Sequence, residues 1–170
     1  MKIIIIDDDI SFLNLFKAKI IPYSKKFFDN VSVITTSDTT ILQNHCFSIY
    51  FLDIDLTNDN GIQIATSIKK KNPTAKIIFT TSRNDLIYNA ITVQPFYFIR
   101  KNELEGGSCY CFYIIKKTTL LINLFILLNM NLNKLKFISK ILYFLKLMTI
   151  YQQSLLILNN IIYTYRLKNY

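Results

Sequence analysis

The chain has 170 residues, enough for one domain with a substantial core, or for one domain and a fragment of another. Its net charge of +9 is unevenly distributed, because residues 1–105 carry +1 whereas residues 106–170 carry +8 and contain no acidic residue. The three cysteines form no disulfide framework, which argues against a disulfide-rich secreted protein. The apolar run at residues 3–6 is too short for a secretory signal, so we expect a cytoplasmic protein.

Short apolar and β-branched runs recur through the first part of the chain, separated by segments with helical periodicity. Continuous apolar runs of this length are typical of strands that are buried on both faces of a parallel sheet. We predict strands at residues 2–6, 31–35, 48–52, 76–80 and 96–99. Strands that alternate with helices in this way predict an α/β fold, with a parallel sheet covered by helices on both faces.

Two of the intervening segments have an apolar face at helical spacing. The apolar positions of the first are Phe12, Leu13, Phe16 and Ile20, and those of the second are Ile62, Ile64, Ala65 and Ile68. The second helix is predicted to end before Pro73, because three lysines suit the C-terminal end of a helix dipole and proline cannot continue the helix. A shorter helix is predicted at residues 85–91.

Polar residues follow several of the predicted strands at their carboxyl ends, where sites form in sheets of this kind. These residues are Asp7, Asp8 and Asp9 after the first strand, Asp53 at the end of the third, Thr81 and Ser82 after the fourth and Lys101 after the fifth. A single aspartate after a strand is usually a turn residue or a helix cap. Carboxylates, a hydroxyl and an ammonium delivered together to one sheet edge predict a functional site instead.

The residue types at this edge predict phosphoryl chemistry. Clustered carboxylates repel one another and require a hard divalent cation, and Mg²⁺ prefers oxygen ligands. Asp53 is the predicted nucleophile, which would form an aspartyl phosphate. Thr81 can donate its hydroxyl to a phosphoryl oxygen, and Lys101 can pair with another oxygen as a positive charge.

These segments resemble the receiver domain of two-component response regulators. IIIIDDD is similar to the opening acidic segment of that family, FLDIDL with the following Gly61 to its phosphoacceptor segment, AKIIFTTS to its fourth strand, and PFYFIRK to its fifth strand. The resemblance covers residues 1–105 and implies a flavodoxin-like (CheY-like) fold, a doubly wound parallel sheet of five strands. The stretches VQPFYFIRKNELE and LIYNAI are most similar to the LytTR branch, which pairs a receiver with a β-rich DNA-binding domain.

The resemblance also implies a role for each residue of the site. Asp53 matches the phosphoacceptor and contributes to the magnesium site, with Asp8 as a direct ligand, Asp7 acting through water and the backbone carbonyl of Asp55 as the third protein ligand. Thr81 matches the switch hydroxyl, Phe98 the rotating aromatic residue and Lys101 the lysine of the family. Two positions depart from the pattern, since Asn102 stands where proline is usual and Ser82 where alanine or glycine is usual.

The resemblance implies that the chain functions in signal transduction by phosphorelay. The phosphodonor is a histidine kinase, and the receiver itself is not an enzyme beyond its self-catalysed acceptance of the phosphoryl group. The parent protein is expected to be a transcription regulator. A homodimer through the fourth helix and fifth strand is a further expectation from the family.

A second family shares part of this pattern. Asp53, Asp55 and Thr57 spell D-x-D-x-T after a hydrophobic strand, which resembles the first motif of haloacid-dehalogenase-type phosphatases. In those enzymes the second aspartate acts as a general acid/base. Their first motif lies near the N-terminus and their other acidic pair comes last, whereas in this chain the acidic cluster comes first. This alternative and an inactive receiver fragment remain beside the receiver interpretation.

The composition changes beyond residue 105. Gly106 and Gly107 are predicted to break the closing fifth helix, because glycine inside a helix costs about 1 kcal/mol relative to alanine. Residues 108–170 contain no Asp, Glu, Ala, Val or Gly, five types whose codons all begin with G. We therefore divide the chain into a receiver at 1–105 and an atypical apolar, basic tail at 106–170. The tail is either the product of a frameshift near residue 105 or a remnant of a LytTR domain.

The tail limits which partners are expected. Too few residues remain for a whole LytTR domain, so specific DNA binding by this chain is not expected, although its cations can attract phosphates non-specifically. The uncharged stretch at 118–133 has 16 residues, fewer than the roughly 20 that span a membrane, and residues 147–165 include four Gln and Asn side chains. A membrane partner is not expected, and interfacial attachment is favoured over a span.

Overall fold

The computed structural model describes residues 1–57, 59–83 and 85–131, together with residues 143 and 146. The chain divides into two compact units, Met1–Thr119 and Leu120–Tyr170. The elements are β1 Lys2–Ile6, α1 Ile10–Phe27, β2 Ser32–Thr36, α2 Ile41–Asn44, β3 Ile49–Asp53, α3 Gly61–Lys71, β4 Lys76–Thr81, α4 Ile87–Ala90, a 3-10 turn Ile91–Val93, β5 Tyr97–Arg100 and α5 Leu104–Asn131. Each strand lies within one residue of its predicted bounds.

The strands form a single parallel sheet with the order β2-β1-β3-β4-β5. In its register Ile4 pairs with both Ile34 and Tyr50, and Ile78 pairs with both Phe51 and Tyr97. The strand order reverses at β1, so β1 and β3 lie side by side in the middle of the sheet. Because all strands are parallel, their carboxyl ends meet at one edge, as the doubly wound prediction required.

Apolar residues fill both faces of the sheet, which explains the continuous apolar runs of the strands. Ile3 and Ile5 of β1 belong to the core shared with α1 and α5, whereas Ile4 and Ile6 belong to the core on the α3 side. Successive residues of a strand point to opposite faces, so a strand covered on both sides needs an apolar residue at every position. All four of these isoleucines are completely buried.

The two amphipathic helices predicted from the sequence are present. The predicted face of α1 is buried at every position, namely Phe12, Leu13, Phe16 and Ile20. In α3, Ala65 and Ile68 are buried, and the helix ends at Lys71 as the following Asn72-Pro73 predicts. The shorter helix predicted at 85–91 is found as α4 followed by the 3-10 turn.

The predicted break of the fifth helix at Gly106 and Gly107 is wrong, because α5 continues through both glycines. The helix buries Phe112 and Ile115 in the core on the α1 side of the sheet, so it covers part of that face. Burying a large apolar side chain contributes about 1.5–3 kcal/mol, which exceeds the cost of about 1 kcal/mol for a glycine in a helix. Gly107 also fits closely, since a Cβ there would lie 3.1 Å from Cγ2 of Ile99.

The later part of α5 has a different environment. Large apolar side chains are exposed at Leu120, Leu121, Ile122, Leu124 and Ile126. Among the residues that the structure describes, Leu104–Ile126 is long and apolar enough to cross a membrane by length and composition alone. The first half of that segment covers the sheet. The second apolar stretch considered from the sequence, 147–165, lies outside the described residues.

Candidate functional site

Three carboxylates meet at the carboxyl edge of the sheet. Asp7 follows β1 and Asp53 ends β3, and these neighbouring strands place them beside each other. Asp7, Asp8 and Asp53 each offer an oxygen within 4.8 Å of the others. Asp7 is fully buried and Asp53 is 5% exposed, whereas Asp8 is open to solvent. Such a cluster of negative charge is stable when cations neutralise it, and its oxygen donors are those that Mg²⁺ prefers.

Lys101 supplies the first of these positive charges. Its Nζ donates a hydrogen bond to Oδ2 of Asp53 at 2.7 Å and forms an ion pair with Oδ2 of Asp7 at 2.8 Å. The ammonium also lies 4.6 Å from the centre of the Phe12 ring, where a cation–π interaction is favourable. Burial lowers the pKa of Lys101, but the hydrogen bonds and charges of Asp53 and Asp7 outweigh this effect and hold the pKa above its ordinary value.

Asp7 is held by its surroundings on both sides. Burial raises the pKa of Asp7 above its ordinary value, while the hydrogen bond and charge of Lys101 act in the opposite direction. Oδ1 of Asp7 accepts a hydrogen bond from the backbone N–H of Asp9 at 3.0 Å. A buried carboxylate needs such partners, because an unpaired buried charge is strongly unfavourable.

Asp8 is bound by a residue from a distant part of the chain. Oδ2 of Asp8 accepts hydrogen bonds from the backbone N–H of Thr57, at 2.9 Å, and from the Thr57 hydroxyl. The hydroxyl bond is the main reason that the pKa of Asp8 lies below its ordinary value. These two bonds tie the segment between β1 and α1 to the segment between β3 and α3.

Asp9 belongs to the helix rather than to the carboxylate cluster. Its Oδ1 accepts a hydrogen bond from the backbone N–H of Phe12 at 3.0 Å, so Asp9 is the N-cap of α1. Of the three consecutive aspartates, only Asp7 and Asp8 join Asp53. The sequence placed all three at the site edge, and the structure assigns the third to capping.

Asp55 lies at the rim of the site. Its carboxylate Oδ2 is 3.1 Å from Nη1 of Arg83, and the same guanidinium pairs with Asp85 at 2.6 Å. The backbone N–H of Asp55 donates to Oδ1 of Asp53 at 3.3 Å. The expectation that the Asp55 backbone carbonyl is a metal ligand stays a prediction.

Gly61, the first residue of α3, lies directly against the backbone that carries Asp53. A Cβ at this position would lie 2.0 Å from the carbonyl oxygen of Asp53. No side chain fits at that distance, so glycine is required for the segment between β3 and α3 to close over the end of the strand.

The switch residues predicted from the sequence lie on β4 and β5. Thr81 ends β4 and is buried, and its Oγ1 accepts a hydrogen bond from the backbone N–H of Arg83 at 3.0 Å. Phe98 is half-buried on β5 and stacks on Phe79 with ring centres 5.6 Å apart. Ser82, the first residue after β4, is exposed.

Sequence reasoning missed the structural roles of three residues at this edge. Thr57 was noticed only as part of the D-x-D-x-T pattern, and no local signal pairs it with Asp8. Arg83 gave no motif, because its ion pairs depend on how two loops meet. The sequence predicts Phe12 as a core residue, and its contact with Lys101 depends on a long-range approach of the residue after β5 to the first turn of α1.

A parallel sheet in the order β2-β1-β3-β4-β5, with acidic residues after β1 and β3 and a lysine after β5, defines a CheY-like receiver. The chain belongs to the response regulator receiver domain family, whose model matches residues 3–105. This match confirms the family predicted from the sequence.

Solved structures support the same fold. A receiver domain of a Francisella response regulator is 14% identical, with a TM-score of 0.56, and the match covers 69% of this chain and 98% of that one. The response regulator TrrA from Thermotoga maritima, solved in complex with Mg²⁺ and BeF, is 19% identical with a TM-score of 0.50, covering 58% of this chain and 84% of that one. At these identities the likeness shows the fold.

The LytTR resemblance has a counterpart among curated proteins. The accessory gene regulator protein A of Staphylococcus aureus is 50% identical over 40 residues, which are 23% of this chain and 17% of that protein. The protein of the same name from Staphylococcus epidermidis is 52% identical over 40 residues. The matched segment thus spans 17% of the length of each relative.

The family match and the structure argue against the phosphatase interpretation. The matched family covers the D-x-D-x-T pattern as part of a receiver. The Asp55 carboxylate, which would be the general acid/base of a phosphatase, is instead paired with Arg83.

Proposed function

We propose that this receiver accepts a phosphoryl group on Asp53 from a phosphohistidine of a histidine kinase. An oxygen of the Asp53 carboxylate attacks phosphorus, the bond from phosphorus to the imidazole nitrogen breaks, and an acyl phosphate forms. The observation that carries the proposal is the contact between Nζ of Lys101 and Oδ2 of Asp53 at 2.7 Å, in a cluster with Asp7 and Asp8. The reaction is self-catalysed, and no other enzymatic activity is proposed.

A divalent cation, Mg²⁺, completes the site. The donor set fits this ion, since Asp7, Asp8 and Asp53 offer hard oxygen ligands within 4.8 Å of one another. Asp8 and Asp53 would hold the ion directly, Asp7 would act through water, and the backbone carbonyl of Asp55 would be the remaining protein ligand. When bound, the ion neutralises charge on the phosphoryl oxygens.

The remaining residues position the group and report its presence. Lys101 keeps its positive charge beside Asp53 and can pair with a phosphoryl oxygen. The Thr81 hydroxyl, which now accepts a hydrogen bond from Arg83 N–H, turns to donate to another phosphoryl oxygen. The movement of Thr81 allows Phe98 to change rotamer, which alters the face formed by α4 and β5.

The partners follow from this assignment. Receiver domains of response regulators interact with histidine kinases and often dimerise, and here the dimer face is that of α4 and β5. The protein acts in the cytoplasm. The parent protein is a LytTR-type transcription regulator, and residues 106–170 do not provide its specific DNA-binding domain.

The origin of residues 106–170 is a separate part of the proposal. A frameshift near residue 105 of an AT-rich gene accounts for the lack of Asp, Glu, Ala, Val and Gly at 108–170. Sequencing of the genomic DNA tests this directly. Another reading frame that encodes LytTR-like sequence after this point is the expected result, and its absence would leave a degenerate LytTR remnant as the explanation.

Phosphoryl uptake tests the central proposal. The full chain is incubated with Mg²⁺ and a small acyl phosphate, and its mass is followed with time. Wild type is expected to gain one phosphoryl group, and Asp53→Asn none. Asp29→Asn, which changes an exposed aspartate two residues after α1, serves as the matched control and should behave as wild type. Uptake by Asp53→Asn at the wild-type rate would overturn the assignment of the phosphoacceptor.

A second measurement separates a receiver from the two alternatives. Continuous release of phosphate from the acyl phosphate, dependent on the Asp55 carboxylate, would restore the phosphatase interpretation. No uptake by a folded, monodisperse sample would instead indicate an inactive receiver fragment. The receiver proposal requires stoichiometric uptake that stops at one group and that Asp55→Asn retains.

A further inference from the structure

The hydroxyl and the amide of one exposed residue, Thr57, both bind the same carboxylate oxygen of Asp8. The two residues lie 49 positions apart, in the segments that follow β3 and β1. A polar side chain on a solvent-exposed segment can satisfy its hydroxyl with water. The Thr57 hydroxyl instead binds one carboxylate oxygen of Asp8 in the acidic cluster, which indicates a positioning role.

We propose that Thr57 is a positioning residue that orients Asp8 as a ligand for a divalent cation. A carboxylate has two oxygens and about four acceptor sites, so an Asp8 whose Oδ2 is bound to Thr57 retains Oδ1 for a cation. Hydrogen bonds from neighbouring residues to metal-ligating side chains fix their orientation before the metal arrives. This inference rests on the proposed function, because it assumes that the acidic cluster binds the cation.

If Thr57 instead competed with the cation for Asp8, removing its hydroxyl would raise the affinity for Mg²⁺. If Thr57 drew Asp8 away from the cluster, its hydrogen bonds would compete with the cation. The geometry favours positioning, because carboxylate oxygens of Asp7, Asp8 and Asp53 lie within 4.8 Å of one another while Thr57 makes both of its hydrogen bonds to Asp8. The Thr57 bonds are thus compatible with the assembled cluster, and the two roles differ in the sign of their effect on affinity.

Of the two hydrogen bonds from Thr57 to Asp8, only the one from the hydroxyl depends on the side chain. Thr57→Val has nearly the same shape, keeps the backbone N–H and removes only the hydroxyl bond to Asp8. Thr57→Ser keeps the hydroxyl and removes a methyl group. Thr66 is an exposed threonine on α3 whose hydroxyl bonds the carbonyl of Ile62, so Thr66→Val is a matched control for the loss of a threonine hydroxyl.

The experiment measures the dissociation constant of Mg²⁺ by titration calorimetry on the full chain, without a phosphodonor. Thr57→Val is expected to bind Mg²⁺ roughly 10-fold more weakly than wild type, the size typical of losing such a supporting hydrogen bond. Thr57→Ser should recover most of the affinity, and Thr66→Val should match wild type. Asp8→Asn should abolish the binding, which locates the ion at the cluster. Thermal unfolding without Mg²⁺ should be unchanged in Thr57→Val.

Phosphoryl uptake gives a second, independent result. The Mg²⁺ concentration for half-maximal uptake should rise in Thr57→Val by the same factor as the dissociation constant. The rate at saturating Mg²⁺ should stay at the wild-type value, because the hydroxyl acts on the ligand and not on phosphorus. A general loss of structure would lower that rate as well and would not be rescued by serine.

Several outcomes overturn the inference. Unchanged or tighter Mg²⁺ binding by Thr57→Val would exclude positioning, and tighter binding would establish competition. Positioning would also be excluded if Thr57→Ser failed to restore the affinity for Mg²⁺, or if Asp8→Asn bound Mg²⁺ as tightly as wild type. A wild type that binds no Mg²⁺ would exclude it as well. The proposed function fails separately, when Asp53 takes up no phosphoryl group even though Mg²⁺ binds and depends on Thr57.

Discussion

Helix α5 contains two stretches that differ in what their side chains contact. In the first, Phe112 and Ile115 are buried in the core beside the sheet. In the second, Leu120, Leu124 and Ile126 are at least half exposed, at 56%, 54% and 50%. The composition changes after residue 105, yet the compact unit that holds the sheet extends to Thr119. Packing against the sheet, rather than amino-acid composition, therefore distinguishes the two stretches of the helix.

The largest expected effect that tests this comparison is on stability. Phe112 is completely buried, and its ring meets those of Phe51 and Phe28 with centres 6.0 Å and 6.3 Å away. Phe112→Ala should lower the free energy of unfolding by about 3–5 kcal/mol, because it removes a large core side chain and leaves a cavity. The matched change Leu124→Ala should alter it by less than about 0.5 kcal/mol, as exposed positions do. Urea unfolding followed by circular dichroism measures both.

Equal effects of the two changes would contradict the comparison. A small effect at Phe112 would mean that α5 does not form part of the receiver core and that the helix is broken at the glycines. A large effect at Leu124 would mean that this side chain is covered in solution.

The second prediction concerns Gly61, the glycine that begins α3 beside the end of β3. Gly61→Ala would place a methyl group 2.0 Å from the Asp53 carbonyl oxygen, so the backbone of Asp53 must shift. Overpacking of this kind destabilises a protein by about 1–3 kcal/mol. Phosphoryl uptake should slow as well, because the nucleophile is displaced from Lys101. Unfolding and uptake are measured on the same sample, and wild-type values for both would show that the segment after β3 moves freely.

The parts of the fold that sequence could predict are those encoded by local pattern. The strands are apolar at every position because both faces are covered, so residues such as Ile3 and Ile4 identify them directly. The course of α5 could not be predicted from Gly106 and Gly107, because their small local penalty is outweighed by tertiary burial of Phe112. Helix propensity is a weak guide whenever packing supplies a larger energy.

The site shows the same division between local and long-range information. Strand order alone brings Asp7, Asp53 and Lys101 to one edge, and the structure brings them into contact. The use of Asp9 as a cap and not a cluster member depends on where α1 begins. The bond between Thr57 and Asp8 depends on how two loops meet, and neither loop carries a local pattern for it.

The third prediction separates Asp9 from its two neighbours. Asp9→Ala removes the N-cap of α1 and should lower the free energy of unfolding by about 1 kcal/mol. Mg²⁺-dependent phosphoryl uptake should remain close to wild type, since Asp9 caps the helix and does not join the cluster. Asp8→Asn should show the reverse, with weak uptake and little change in stability. If Asp9→Ala abolished uptake without unfolding the protein, Asp9 would have to be a ligand.

The smallest expected change in stability is at Gly106 and Gly107 of α5, where the result depends on which atoms an added Cβ would contact. A Cβ at Gly106 would have no neighbour within 4 Å, so Gly106→Ala should stabilise the protein by about 0.5–1 kcal/mol through helix propensity alone. At Gly107 a Cβ would lie 3.1 Å from Cγ2 and 3.3 Å from Cγ1 of Ile99, so the same change must displace a buried side chain. Gly107→Ala should therefore gain less than Gly106→Ala, or lose stability, in urea unfolding of the two variants side by side. An equal gain at both positions would mean that α5 does not lie against β5 at Ile99, which would undo the assignment of this half of the helix to the receiver.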